Sequence, residues 1–324
     1  MNSYPLLLES VLKNIIWGGK RLSEEYGKGT PGEKIAEAWT LALRSDGVNK
    51  IANGEYSGMT LDVYAKLCGM ESLCGYGASN RDFPLLVKLI DAENSLSVQV
   101  HPDDAYALRH GLDAGKTEAW YIVDAKPGAK IVYGLNPGVV YEPQKFKEAA
   151  LSGNLEEYLN YVEVKKGDIY YIPAGLVHAI GAGILIAEVQ QNSNTTFRIY
   201  DYNRVDANGN KRELHIDSAL EAIKPDALGG ESFEGTYEDE QYRELINAKY
   251  FEIGCLTLSP NDGRGFDSGK MYHLICTDGC ASVLFDAKEY PMKKGDAYLI
   301  PAAMGYFTVF SEKGAEIITA SPKI

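Results

Sequence analysis

Apolar and polar residues alternate over short stretches through most of the chain, and Gly, Asn and Asp break the runs. A period of two is the mark of half-buried strands. LSVQVH (96–101), AWYIVD (119–124), AKIVYG (129–134), DIYYIP (168–173) and ILIAEVQ (184–190) follow it at spacings expected of a barrel or sandwich. Helical character is confined to about 33–43, 60–72, 103–111, 143–161 and 216–223. The pattern predicts a mainly β protein with a small helical insertion.

A repeat adds to this. Residues 165–174 read KKGDIYYIPA and residues 293–302 read KKGDAYLIPA, identical at all but two positions. In each copy a Gly-Asp turn leads into a short strand ending in Pro-Ala, after a hairpin-like stretch at 119–134 or 272–286. Two related β units in one chain explain this most economically. The expected division is 1–223 and 246–324, joined by the acidic, Gly-containing connection 224–245. The copies then diverge: GLVHA follows the first and AMGYF the second, so His178 aligns with Tyr306.

Composition narrows the function classes. With 324 residues, 45% apolar and 24% charged, the chain has ample material for a core, which excludes intrinsic disorder. Its 32 basic and 45 acidic residues give a net charge of −13 with no Lys/Arg run, which argues against nucleic acid or an anionic membrane as partner. Basic contacts to an anionic ligand must therefore be local. Glu9 and Lys13 interrupt the opening apolar stretch, and no later run approaches the roughly 20 residues of a membrane span, so a soluble, unprocessed, cytoplasmic chain is expected. Five cysteines, an odd and sparse set, fit reduced thiols better than a disulfide framework. His273, Cys276 and Cys280 form an HxxCxxxC string, but Thr277-Asp278-Gly279 reads as a hairpin turn and no second ligand pair follows, which weighs against a metal site there.

Candidate chemistry lies in four segments. On a strand, Gln99 and His101 of LSVQVHPDD share a face, and Pro102 ends the ladder where the imidazole is presented. A hydrogen-bonded structural histidine is the bland alternative. In GKTEAWYIV, Glu118 shares an otherwise apolar face with Trp120 and Ile122 and needs a partner. Lys116 or a bound cation could serve, unless Lys116 and Glu118 form a surface pair. His178 of IPAGLVHAIGAG follows a Pro-Ala-Gly turn. Gln99, His101, Glu118 and His178 together suit a borderline divalent ion such as zinc, with room for water or substrate. In EVQQNSNTTFRIYDYNR, Arg198 offers a planar fork for an oxyanion or phosphate, after an amide-rich run ending at Asn194. A surface arginine in a polar hairpin is the alternative.

LSVQVHPDD, GKTEAW, IPAGLVHAI and QNSNTTFRIYDY, with PLLLESVLKNIIWGGKRL and RDFPLLVKLID before them, resemble in order the motifs of the short bacterial type I mannose-6-phosphate isomerases. The resemblance runs from about residue 5 to 204 and extends through the repeat towards the C-terminus. It implies a pair of cupins, jelly-roll-like β-barrel units, in agreement with the repeat. It also implies one zinc ion per chain, held by Gln99, His101, Glu118 and His178, with Lys116 and Arg198 at active-site positions. Tyr306 makes the second unit similar to the family's metal-free cupin. Asn194 stands where the family commonly carries an aspartate, so it cannot be a carboxylate base, though its amide could hold a substrate hydroxyl.

The activity so implied is the aldose–ketose interconversion of mannose 6-phosphate and fructose 6-phosphate through a cis-enediol. The partner is then a small phosphorylated sugar. A divalent ion and a guanidinium suit the charge that develops on an enediolate oxygen. For the base, a metal-bound water, Lys116 or a more distant group all fit. Two competitors remain at this level: another metal-dependent cupin enzyme such as an oxygenase, and a sugar-phosphate-binding cupin without turnover.

Overall fold

Strands form where the period of two predicts them: Val98–Val100, Glu118–Ala125, Lys130–Leu135, Ile169–Ile172 and Ile184–Gln191. The structure, a computed structural model, describes residues 3–79, 82–205, 208–227 and 235–324. Residues 228–234 of the expected connection, and Arg81 of RDFPLLVKLID, lie outside the described residues. Among the described residues no helix is long and apolar enough to cross a membrane.

Two predicted helices are not formed as expected. Residues 33–43 carry helix-favouring Ala and Glu, yet Glu37–Leu41 is a strand paired antiparallel to Val11–Lys13, with Val11 opposite Trp39. Ala38, Trp39, Thr40 and Leu41 are all buried, so burial on both faces overrides propensity. The 143–161 segment is helical only over Pro143–Ser152, because Gly153 at φ +82° ends it with a left-handed cap. Leu159–Glu163 then pairs with Lys130–Leu135 as a strand. The remaining α-helices among the described residues are Arg21–Glu24, Leu61–Cys68 and Met70–Cys74, the last two split at Gly69, together with Asp104–His110 and Ile216–Ala222.

The chain groups into two compact units, one of Ile15–Gly19 with Ile90–Phe233 and one of Met1–Asn14 and Lys20–Leu89 with Glu234–Ile324. The division expected from the sequence places the whole of 1–223 together. Long-range pairing draws the N-terminal strands elsewhere: Leu6 sits opposite Leu299 and Leu7 opposite Tyr298. Local periodicity does not encode such a pairing.

In the first unit, one sheet runs Leu159–Glu163, Lys130–Leu135, His178–Ala179, Val98–Val100, Phe197–Tyr200, all antiparallel. A second set pairs Glu118–Ala125 with both Ile169–Ile172 and Ile184–Gln191. Residues 119–134 are therefore not a hairpin, since their two strands belong to different sheets. One face of the first sheet, with Val98, Val100, Ala179, Phe197 and Ile199, packs on Phe146, Ala149, Ala219 and Ala222 of two helices. Each large side chain fully buried here contributes about 1.5–3 kcal/mol. That face anchors the sheet and leaves the other for chemistry.

In the second unit the expected turn at 277–279 is absent. Tyr272–Phe285 is one strand of 14 residues, bulged between Cys276 and Asp278. Gly279, paired opposite Ala315 just past the bulge, sits at φ +71°, and its Cβ would lie 2.2 Å from Gly314 O. The hairpin turn falls instead at Asp286 and Ala287, with φ of 49° and 55°, between paired Phe285 and Lys288. The repeated strand makes the two units comparable. Ile172 is opposite Glu118 in one, and its counterpart Ile300 is opposite Tyr272 in the other. Tyrosines at 272 and 306 thus stand where the first unit has Glu118 and His178.

Candidate metal centre

Register brings the chemistry together. Tyr133 is opposite His178, His178 opposite Gln99, and Gln99 opposite Arg198. Directly opposed residues share a face, so these four side chains form one row across four strands. From the other set of strands Glu118, flanked in register by Ile172 and Gln190, meets this row. His101 follows the Val98–Val100 strand, where Pro102 terminates the ladder.

His101, Glu118 and His178 are buried and are the one group of at least three His, Cys, Asp or Glu ligand atoms gathered closely enough for a metal among the described residues. His178 Nδ1 lies 2.8 Å from Leu176 O. A carbonyl only accepts, so Nδ1 carries the proton and Nε2 presents its lone pair. Lys116 Nζ, which only donates, lies 3.0 Å from His101 Nε2, so that nitrogen accepts as well. The two Nε2 atoms are 3.1 Å apart. Glu118 Oε2 lies 3.4 Å from His101 Nε2, and Oε1 lies 3.5 Å from His178 Nε2. Gln99 Nε2 is 3.4 Å from His178 Nε2. Lone pairs converging in a buried space repel unless a cation lies among them.

The protonation states suit that cation. Burial, then the charge of Lys116, pushes His101 down to about 3, and burial likewise lowers His178, so both imidazoles are neutral at pH 7. Burial would raise the Glu118 carboxyl, but Lys116 and the imidazoles outweigh it and hold it well below the usual range. Glu118 Oε2 accepts no hydrogen bond, although Lys116 Nζ neutralises it from 2.7 Å as an ion pair. A buried carboxylate with Lys116 as its counter-charge, beside two neutral imidazoles, fits a divalent ion with N/O ligands.

The structure brings Gln99, His101, Glu118, His178 and Lys116 into one cluster. Lys116 is only 3% exposed, which removes the surface-pair alternative. Its backbone N–H donates to Pro102 O at 2.9 Å, tying it to the segment that carries His101. Arg198 joins the Gln99 row but is held from the side: Nη1 donates to Glu213 O at 2.7 Å, and the buried Nε has no partner. Burial, then Arg212, lowers its pKa. Asn194 is exposed in the turn before Phe197–Tyr200, outside the cluster.

The sequence places Trp120 on the face of Glu118 only as an apolar neighbour, and it marks Asp201 and Arg212 not at all. Trp120 Nε1 donates to Glu118 Oε1 at 3.0 Å and to Glu188 Oε2 at 3.1 Å, so one indole orients two buried carboxylates. Its ring meets His178 edge-on with centroids 5.4 Å apart. Asp201 binds both Arg204 and Arg212, with Arg212 Nε at 2.7 Å from Oδ2. With Arg198, these make a locally positive edge in an acidic protein.

Comparison with known proteins agrees with this picture. Residues 6–127 match the family model for the phosphomannose isomerase type I catalytic domain. Mannose-6-phosphate isomerase ManA of Bacillus subtilis is 39% identical over 95% of this chain and 96% of its own. The mannose-6-phosphate isomerase of Streptococcus mutans is 43% identical over 92% of both chains. The crystal structure of a mannose 6-phosphate isomerase from Bacillus subtilis superposes with a TM-score of 0.87 at 33% identity, over 98% of this chain and 99% of that one.

Proposed function

The chain belongs to the type I phosphomannose isomerase family, and we propose that it interconverts mannose 6-phosphate and fructose 6-phosphate at the buried cluster around His101 and His178. The observation that carries this reading is the convergence of His101 Nε2, His178 Nε2 and the Glu118 carboxylate, with an acceptor at every corner. Gln99, His101, Glu118 and His178 would hold one divalent ion, zinc by the borderline character of the donors. When bound, such an ion would polarise a substrate oxygen and offset negative charge developing there.

The other residues act on the substrate directly. Arg198 sits opposite Gln99 and directs an always-charged fork at the oxygen that becomes negative when the C2 proton leaves. Lys116, beside Glu118 and His101, reaches the same region and donates a hydrogen bond to a sugar hydroxyl or relays its proton. The guanidinium edge of Arg198, Arg204 and Arg212 attracts the phosphate end, which lets a chain of net charge −13 take an anionic substrate. Asn194, exposed in the segment leading into Phe197–Tyr200, serves as a hydrogen-bonding amide for a hydroxyl and not as a base.

A coupled assay for fructose 6-phosphate, run with and without a strong chelator and paired with elemental analysis of the purified protein, tests the reading. Turnover that disappears with the metal supports it. Bound metal without turnover of mannose 6-phosphate points instead to a sugar-phosphate-binding protein.

A further inference from the structure

The two histidines are carried by separate backbone segments, and one residue outside the cluster touches both. Gly175 N donates to His101 O at 2.9 Å, and Lys224 N donates to Gly175 O at 3.0 Å. The Lys224 side chain then lies flat across the turn. A Cβ on Gly175, which sits at φ +95°, would fall 2.7 Å from Lys224 Cγ and 2.8 Å from Cδ. Nζ ends 2.7 Å from Asp103 Oδ2, two residues beyond His101. The other Asp103 oxygen caps the Asp104–His110 helix by accepting from Tyr106 N at 2.8 Å. On the far side of the turn, Leu176 O receives the Nδ1 proton of His178. Lys224 is itself fixed by its neighbour Ile223, packed with Ala219 and Ala222 in the core.

We propose that Lys224 is a positioning residue, a strap from the end of the Ile216–Ala222 helix that holds the His101 and His178 segments at the spacing a metal ion requires. The proposal rests on the zinc reading above. The Lys224 side chain is 54% exposed, so its ion pair with Asp103 adds little to stability as a charge interaction. Its effect is geometric: the stem fills the space that Gly175 leaves open and joins the turn to the helix cap. Groups that orient metal ligands from outside typically change metal affinity by about 10–100-fold.

The test uses the full chain stripped of metal and titrated with zinc against a chromophoric chelator, with zinc release and metal-free melting temperature measured in parallel. Lys224→Ala should weaken zinc binding about tenfold and speed its release, while Lys224→Arg, which keeps a stem and a charge, stays within about threefold of wild type. Asp103→Asn keeps the helix cap but removes the charged partner, so it should weaken zinc binding in the same direction with little change in metal-free melting. It also carries the test if Lys224→Ala fails to fold. Wild-type zinc affinity in either weakened variant overturns the strap alone, as does a loss that Lys224→Arg does not rescue. A wild-type chain that takes up no zinc overturns the metal reading and the strap with it.

Discussion

His101 Nε2 and His178 Nε2 face each other at 3.1 Å in a site where both rings are almost wholly excluded from water. His178 has its proton on the far nitrogen, bound to Leu176 O, and the near one is free to donate electrons. Glu118 supplies the anionic member of the set, and Lys116 is its only cationic neighbour in the cluster. Replacing Glu118 by Gln should lower bound zinc and turnover together. The same change leaves the Lys116 ammonium buried without its counter-charge, a situation that costs about 3–5 kcal/mol when a buried pair is broken. Elemental analysis beside the coupled assay checks this, and full metal with full activity would sink the assignment of Glu118.

Arg198 should separate chemistry from stability. Its Nε is buried and unpartnered, and among the described residues its one side-chain hydrogen bond goes to Glu213 O. Truncation to Ala therefore removes little that holds the fold, but under the proposed function it removes the charge that meets the developing enediolate. A fall in kcat/KM of about 100-fold or more is expected with a melting temperature near wild type. A large drop in melting temperature instead would make Arg198 a structural residue.

Trp120→Phe keeps the ring against His178 and deletes the one N–H that Glu118 and Glu188 share. Removing a buried donor from a charged acceptor costs about 1–3 kcal/mol. The variant should melt earlier and bind zinc more weakly, because Glu118 loses the contact that aims it. Unchanged zinc affinity would show that the indole only fills space.

His273 gives a pH dependence independent of the metal cluster. Burial, partly opposed by a backbone hydrogen bond at Tyr298, pushes this imidazole down to about 3 in the folded chain. Unfolded, it titrates near its ordinary value of about 6.5, so below that pH the unfolded state binds more protons. Stability of the metal-free protein should therefore fall as pH drops below about 6.5, by about 2 kcal/mol per such histidine at pH 5. It should be flat with respect to this group above pH 7. Denaturant melts of His273→Gln, which cannot titrate, should show a shallower fall. An equal slope in both chains would place the proton uptake elsewhere.

The cluster was largely legible in the sequence because strand alternation is local. Gln99 shares its face with the residue two positions on, and the repeat isolates His178 by contrast with Tyr306. What the sequence hides depends on pairing between distant segments. Glu37–Leu41 reads as helix from its composition, and pairing with the distant strands Val11–Lys13 and Leu85–Ala92 on its two sides makes it extended. Gly279 reads as a turn, whereas it is a strand residue opposite Ala315 that the close approach of Gly314 keeps free of a side chain. Trp120 looks like core and Lys224 like surface, since neither the shared indole bond nor the contact from Lys224 to Asp103 leaves a trace in nearby residues.

Reconstitution of the metal-free wild-type chain with zinc tests the central claim most directly. Mannose 6-phosphate turnover, followed as fructose 6-phosphate, should be absent at the start, rise in proportion to added zinc, and level off at one ion per chain. Full turnover after exhaustive chelation, or none at one equivalent of bound zinc, would contradict the account.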